Sequence, residues 1–224
     1  MEKITLRTTD NVEIVGNYFT VQSEKAPAVI LLHMMPATKE SWNKFAPKLV
    51  ERGFQVLAID ERGHGESIKQ ADKTLDYREF TDTEQQSKLL DVDATQQFFL
   101  GNGVQPHDIF IGGGSVGANL TIQYMAEHSE IIAGFAISPG YNYRGIETKP
   151  LMEHLRDGQN LYLIAAEDDP NVVNAAEVAK ELEQIGPANK EIKIFDTGGH
   201  GENIFSAHPD FMGELADWLA RFIR

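Results

Sequence analysis

Hydrophobic positions along the chain follow two alternating patterns. Short runs of aliphatic and β-branched residues predict buried strands, and these runs lie at 28–34, 55–60, 108–113, 131–138, 161–166 and 191–197. Between the runs, apolar residues recur at spacings of three and four, which predicts helices at 40–52, 82–100, 116–128, 171–186 and 209–223. Alternation of this kind is typical of a mostly parallel sheet with helices on both faces, so the predicted fold class is α/β.

The N-terminal segment has a different pattern. From Ile4 to Thr20 polar and apolar residues alternate, with Asp10 and Asn11 between the two halves, which predicts a β-hairpin. With this hairpin we expect an eight-stranded sheet in a single domain spanning 1–224. Segments 62–81 and 139–160 contain no clear strand or long helix, and neither is long enough to form a separate domain.

Composition excludes several classes of function. The chain has 20 basic and 34 acidic residues and a formal net charge of −14, so we expect no nucleic-acid or membrane partner. Cysteine is absent, which excludes disulfides, thiolate zinc sites and a cysteine nucleophile. The histidines show no metal-site spacing, and we expect neither metal nor cofactor. The N-terminus has no signal-peptide pattern and no apolar run is long enough to span a membrane, which favours a cytoplasmic protein.

A glycine-rich stretch gives the first indication of chemistry. Gly113, Ser115 and Gly117 fit the pattern G-x-S-x-G between a predicted strand and a predicted helix. A serine at such a sharp turn has a strained backbone, and glycines two residues away relieve the crowding. The alternatives are an ordinary glycine turn, a phosphate-binding loop, or a dinucleotide fingerprint. The last belongs after the first strand of its unit, whereas several strands precede this stretch.

A nucleophilic serine needs a base and an acid that orients the base. His200 follows the last predicted strand in the sequence GGHG, and Asp168 and Asp169 follow the strand before it. Ends of parallel strands are where open α/β sheets place their ligands. Asp169 is the preferred acid because Pro170 fixes the turn behind it. Asp168 stays open, and either aspartate could instead cap the following helix.

Together these motifs resemble those of the α/β-hydrolase superfamily over nearly the whole chain. The motifs are LLHMMPATKESW (31–42), AIDERGHGES (58–67), GGSVGA (113–118), AEDDP (166–170) and GGHG (198–201). The sequence SPGYNYRG (138–145) is similar to small bacterial hydrolases of the dienelactone-hydrolase-like branch. Dienelactone hydrolases proper use a cysteine nucleophile, so their specific activity is not carried over.

The resemblance implies an acyl-enzyme mechanism. Ser115 would attack an ester carbonyl, His200 would take its proton, and Asp169 would hold the imidazolium. The oxyanion hole would use the backbone N–H groups of Val116 and Met35, although Met34, which stands where the family usually has glycine, is an alternative donor. In the family, three further motif residues brace loops and carry no chemistry: His33, Arg62 and His64.

The segment after the sixth strand, 139–160, is short where many relatives carry a lid, so we expect a minimal cap or none. Candidate pocket residues are Met34, Tyr141, Tyr143 and Met152, which would suit a small acyl or aryl group. These side chains could instead simply seal the sheet edge.

The function indicated is that of a serine carboxylesterase for small soluble esters. A thioesterase, lactonase or peptidase of the same fold would use the same residues. The alternatives from other classes are a catalytically silent binder of a small molecule or partner and a nucleotide-binding protein.

Overall fold

A computed structural model describes residues 1–23, 25–171 and 173–224. Within these ranges twelve strands form, and ten of them make one sheet. The strands are β1 Glu2–Arg7, β2 Val12–Phe19, β3 Ala28–Leu32, β4 Gln55–Ile59, β5 Lys69–Gln70, β6 Lys73–Thr74, β7 Ile109–Gly114, β8 Ala133–Ile137, β9 Asn142–Tyr143, β10 Ile146–Glu147, β11 Asn160–Ala166 and β12 Asn189–Phe195.

The order across the large sheet is β12-β11-β8-β7-β3-β4-β2-β5-β6, and β1 pairs with β2. Strands β12 to β4 in this order pair in parallel, and β2 joins β4 in the antiparallel sense. Strands β9 and β10 form a separate small hairpin. The carboxyl ends of β7, β11 and β12 therefore lie at one edge of the sheet.

Helices cover both faces of the sheet. They are α1 Ala46–Val50, α2 Asp82–Gln86, α3 Leu89–Gly101, α4 Val116–Glu127, α5 Thr148–His154, α6 Ala175–Glu183, α7 Ile204–Ala207 and α8 Phe211–Ala220. Short 3-10 turns lie at Lys39–Trp42, Tyr77–Glu79, Pro106–Asp108 and Gly201–Asn203. Among the helices in the described ranges, none combines the length and the hydrophobicity that a membrane span requires.

The sheet separates two hydrophobic cores, and β3 shows how. Ile30 and Leu32 pack into the core beneath α3, α4 and α6, whereas Val29 and Leu31 pack into the core beneath α1 and α8. All five residues of β3 are buried, as are all those of β4, β7 and β8. A parallel strand covered on both faces has this continuous apolar character because neither face meets water.

The predicted α/β class and the N-terminal hairpin are confirmed, and Asn11 adopts the left-handed φ of 66° that the hairpin turn requires. The sheet has ten strands within the described ranges rather than eight, because segment 62–81 contributes the two-residue strands β5 and β6. A strand of only two residues is too short to show an alternation of polar and apolar positions in the sequence. Segment 139–160 likewise contains the unpredicted helix α5.

Three predicted helices differ from the observed ones. The helix expected at 82–100 is divided into α2 and α3. The helix expected at 40–52 is divided into a 3-10 turn and α1. The helix expected at 171–186 is observed as α6, which begins at Ala175 behind the side-chain cap of Asn174. Residue 172 of that prediction lies outside the described residues.

Candidate active site

Ser115 occupies the turn between β7 and α4 with a strained backbone. Its φ of 56° and ψ of −117° lie in a region that L-residues rarely adopt, at a cost of roughly 1–3 kcal/mol. The turn is fixed because the Ser115 N–H donates to the carbonyl of Ile137 at 2.8 Å, which ties it to the end of β8. The hydroxyl is thereby lifted above the sheet edge at the start of a helix.

The flanking glycines are required by close backbone contacts. A Cβ on Gly113 would lie 2.4 Å from the carbonyl oxygen of Gly117, and a Cβ on Gly117 would lie 2.6 Å from the carbonyl oxygen of Leu32. Neither obstacle is a flexible side chain, so no larger residue fits without moving the backbone. The predicted steric reason for these two glycines is confirmed.

Ser115, His200 and Asp169 lie in one hydrogen-bonded row. The Ser115 Oγ is 2.7 Å from His200 Nε2, and His200 Nδ1 is 2.7 Å from Asp169 Oδ2. An ionised aspartate can only accept, so Nδ1–H donates to Asp169 and Nε2 accepts from the serine hydroxyl. The Asp169 side chain is fully buried and that of His200 is 15% exposed, so the row runs from the interior toward solvent.

The two neighbouring aspartates contact different parts of the histidine loop. Asp169 contacts the imidazole, and its second oxygen accepts the N–H of Asn171 at 3.0 Å. Asp168 instead accepts the backbone N–H of Gly199 at 2.8 Å. Of the two acids left open by the sequence, the structure brings Asp169 to His200, while Asp168 anchors the backbone beside it.

Three polar residues that sequence reasoning missed also surround the histidine. Ser138, at the end of β8, accepts the N–H of Gly201 at 2.9 Å. The Asn171 Nδ2 lies 2.8 Å from His200 Nδ1. Glu202 accepts the N–H of Met34 at 2.8 Å. Glu202 had a signal in the sequence, because an acidic residue follows two positions after the histidine in an otherwise glycine-rich loop.

The two backbone N–H groups expected to form the oxyanion hole differ from that of Met34 in their hydrogen bonds. Within the described part of the chain, the N–H groups of Val116 and Met35 have no protein acceptor, whereas the Met34 N–H is bonded to Glu202. Val116 opens helix α4, where unpaired N–H groups and the helix dipole favour negative charge. Of the two methionines, Met35 is therefore the one with a free donor.

The four candidate pocket residues have different surroundings. The Tyr143 ring lies edge-on to the His200 ring, 6.3 Å between centroids, and burial together with the charge of Asp169 raises the pKa of Tyr143 to about 12. The Met34 sulfur packs against Gly201, in the histidine loop. Tyr141 donates a hydrogen bond to Glu181, on the surface of α6.

Met152 is fully buried in the core under α5, so its assignment to the pocket is wrong. The reason is the unpredicted helix. Helix α5 turns Met152 toward α4 and the core, and exposes the neighbouring residue Glu153. A segment read as an irregular loop gave no indication of which side chains point inward.

The residues expected to brace loops do form such contacts. His33 Nδ1–H donates to the carbonyl of Met34 at 2.9 Å, and its Nε2 accepts the N–H of Glu61 at 3.2 Å. Arg62 pairs with Asp10 and Asp91. Among the residues that the structure describes, no group of three or more histidine, aspartate or glutamate side chains is arranged to hold a metal ion.

Comparison with known proteins gives a match to a family model, a short match to a protein sequence, and matches to solved structures. The family model for the alpha/beta hydrolase fold matches residues 27–160. Epoxide hydrolase B of Mycobacterium tuberculosis is 44% identical over 46 residues, which make up 20% of this chain and only 13% of that protein.

Solved structures are similar over the full length. The esterase Pf2001 of Pyrococcus furiosus has a TM-score of 0.78 at 21% identity, covering 100% of this chain and 93% of that one. Est1E of Butyrivibrio proteoclasticus, bound to ferulic acid, has a TM-score of 0.73 at 16% identity, covering 97% and 96%. At these identities the structural likeness shows the fold alone.

Proposed function

Because this chain belongs to the alpha/beta hydrolase fold family, we propose that it is a serine carboxylesterase that hydrolyses small soluble esters. The observation that carries the proposal is the pair of 2.7 Å contacts that joins Asp169, His200 and Ser115. This is the geometry in which an imidazole can take the proton of a hydroxyl while a carboxylate stabilises the imidazolium that results.

The reaction would proceed in two halves. Ser115 Oγ attacks the ester carbonyl carbon as its proton passes to His200 Nε2, and the imidazolium then protonates the departing alcohol oxygen. A water molecule next gives its proton to His200 and attacks the acyl-serine, which releases the acid and restores the hydroxyl. Asp169 keeps its charge throughout, because it is hydrogen-bonded to Nδ1–H in every step.

Negative charge on the carbonyl oxygen would be stabilised by the N–H groups of Val116 and Met35. Both donors are free of protein acceptors in the described chain, and one lies at the N-terminus of α4. Fixed donors of this kind need no reorganisation when the charge develops, and the loss of one typically costs about a hundred- to a thousandfold in rate.

A small acyl or aryl ester suits the surroundings of Ser115. Tyr143 provides an aromatic edge beside the histidine, and Met34 provides a polarisable side chain. Segment 139–160 forms the β9–β10 hairpin, α5 and the first residue of β11, and we infer that a cap this short leaves room for a small ester. The structural likeness to an esterase and to a protein holding ferulic acid is consistent with this substrate class.

Epoxide hydrolysis, the activity in the name of the M. tuberculosis relative, is less suited to this site. A serine oxygen that opened an epoxide would form an ether with no carbonyl for water to attack, so the enzyme could not turn over. An ester intermediate formed on Ser115 carries that carbonyl. Only 46 residues support the match to that relative.

The test is hydrolysis of p-nitrophenyl acetate and butyrate by the wild type and by Ser115→Ala. We expect the variant to lose all but background activity while it stays folded. Ser129→Ala is the matched control, because Ser129 is exposed just beyond the other end of the same helix. Equal rates for the wild type and Ser115→Ala would overturn the proposal.

A panel of thioesters, lactones, peptides and epoxides separates the related reactions, and we expect the esters to give the highest kcat/KM. Labelling with a fluorophosphonate tests for a catalytically silent protein. We expect a single adduct on Ser115, found by mass spectrometry and absent in Ser115→Ala. A folded wild type without an adduct would favour a silent binder.

A further inference from the structure

Glu202 lies where three loops of the candidate site meet. It follows His200 by two residues, its Oε1 accepts the Met34 N–H at 2.8 Å, and its Oε2 packs against Gly114, the residue before Ser115. A Cβ on Gly114 would come within 2.6 Å of that oxygen. The mechanism proposed above assigns no step to this carboxyl group.

Burial of the Glu202 carboxyl group costs free energy of folding. Glu202 is only 6% exposed, its Oε2 has no hydrogen-bond partner within the described residues, and its Oε1 also accepts from the Ser41 hydroxyl at the long distance of 3.3 Å. Burial raises the pKa of Glu202 to about 7. A buried, incompletely paired acid destabilises a fold, so its presence here has to be explained by something other than stability.

The hydrogen bonds around Met34 indicate why a buried acid is placed here. Glu202 fixes the N–H on one side of Met34, and His33 fixes the carbonyl on the other side at 2.9 Å. In a trans peptide the N–H points away from the carbonyl oxygen. With the Met34 carbonyl turned toward His33, the N–H of Met35 is directed to the opposite side, and it has no protein acceptor in the described chain.

We propose that Glu202 is a positioning residue, which holds the Met34 backbone so that the Met35 N–H is kept aimed at the substrate oxygen beside Ser115. The inference rests on the proposed esterase function. Glu202 touches neither substrate nor the reacting atoms and acts only through the loop. Its effect is therefore expected in the transition state, where the oxyanion forms, and not in substrate binding.

The first test compares Glu202→Met with Glu202→Gln. Methionine keeps the length of the side chain without an acceptor, and we expect kcat for p-nitrophenyl butyrate to fall about 10- to 100-fold with little change in KM. Glutamine keeps an oxygen for the Met34 N–H and should recover most of the activity. Ser41→Ala is the matched control, since it removes only the long contact to Glu202, and should change kcat less than threefold.

Thermal unfolding distinguishes positioning from a structural role. Because Glu202→Met removes a buried and incompletely paired acid, its Tm should equal or exceed that of the wild type while kcat falls. A Tm that fell in proportion to the activity, or a glutamine variant as slow as the methionine variant, would overturn the proposal.

Amide hydrogen exchange tests the loop without reference to catalysis. In Glu202→Met the Met34 amide should lose protection, and in Glu202→Gln it should retain it. Unchanged protection in Glu202→Met would refute the positioning role even if the protein hydrolysed no ester. Normal exchange effects without any Ser115-dependent hydrolysis would instead contradict the esterase proposal and leave the loop contact established.

Discussion

Histidine lies next to carboxylate both in the candidate site and in a cluster in the interior, and the two places differ in what surrounds the rings. At the surface, His200 lies between Ser115 and Asp169. In the interior, His33 and His64 lie with ring centroids 4.9 Å apart, in the electrostatic field of Glu61 and the lysine paired with it. The residue types are similar, yet of the two only the candidate site is arranged for proton transfer.

The difference lies in the partners of the ring nitrogens and in burial. His200 bonds an acid through one nitrogen and a hydroxyl through the other, with its side chain 15% exposed. Both ring nitrogens of His33 are hydrogen-bonded to backbone groups. His64 stacks on Tyr77, and burial with the charge of Lys88 lowers the pKa of His64 to about 3. A histidine beside an acid is therefore not sufficient evidence of a base.

The largest expected effect in this comparison is that of His200→Ala. Without the base, the serine hydroxyl stays protonated, and kcat for p-nitrophenyl butyrate should fall roughly 10⁴- to 10⁶-fold. Because the fully buried Asp169 side chain loses its partner in this variant, circular dichroism and thermal unfolding are needed to establish that it stays folded under the assay conditions. His154→Ala, at an exposed position in α5, is the control and should keep full activity. Substantial remaining activity in His200→Ala would mean that another group is the base.

The next effect separates the two neighbouring acids. Asp169→Asn removes the charge that stabilises the imidazolium and should lower kcat about 10³- to 10⁴-fold. Asp168→Asn leaves an oxygen that can still accept the Gly199 N–H, so its loss should stay within about tenfold. Steady-state kinetics on the two variants decide the matter. If kcat fell further in Asp168→Asn than in Asp169→Asn, Asp168 would be the acid that stabilises the His200 imidazolium.

The sequence predicted the parts of this site that rest on local patterns. The glycines beside Ser115 report a local steric requirement, and the positions of Asp169 and His200 follow from the ends of parallel strands. These rules depend on the strand and helix pattern, which is strong in this chain. The α/β class and the hairpin at Asn11 were predictable for the same reason.

The parts that escaped prediction depend on contacts between distant segments. Glu202 meets Met34 across 168 positions of the chain, and no periodicity records such a contact. Met152 was misassigned because helix α5 is a short element with Pro150 inside it, a residue that is tolerated only near a helix start. Which side chain faces inward was decided by packing on α4.

Substitutions in the interior cluster, which consists of His33, His64, Glu61 and Lys88, should change the free energy of unfolding. Lys88 and Glu61 form an ion pair at 2.8 Å with both side chains almost completely buried. Burial opposes ionisation of Glu61, but the charge of Lys88 holds the pKa of Glu61 below its ordinary value. Lys88→Met would leave a buried carboxylate without its partner and should cost about 3–5 kcal/mol in urea unfolding.

An exposed ion pair is the control for that result. Lys149 and Glu181 are both nearly half exposed, and Lys149→Met should cost less than about 1 kcal/mol. If Lys88→Met proved no more destabilising than Lys149→Met, the interior cluster would not depend on its charge pair.

The smallest expected effect concerns His64 and acid. A base whose pKa is lower in the folded protein than in the unfolded chain binds fewer protons when folded, so stability is lost as the pH falls from about 6.5 toward about 3. At pH 5 the loss due to His64 is about 2 kcal/mol. The other titratable groups facing this ring are Tyr77, which stacks on it, and Glu61, Lys88, His33 and Asp76. All of them stay in place in the variant His64→Phe.

His64→Phe should therefore be about as stable as the wild type at pH 7, within about 1 kcal/mol. The substitution gives up the contact of Nδ1 with the Arg62 carbonyl but removes the buried Nε2, which has no partner within the described residues. Between pH 7 and 5 the variant should lose about 2 kcal/mol less than the wild type in urea unfolding, while His154→Phe controls for the added ring. If the free energy of unfolding of His64→Phe and of the wild type fell by the same amount between pH 7 and 5, His64 would take up its proton in the folded protein. The contrast between His64 and His200 would then depend on the partners of the ring nitrogens and not on burial.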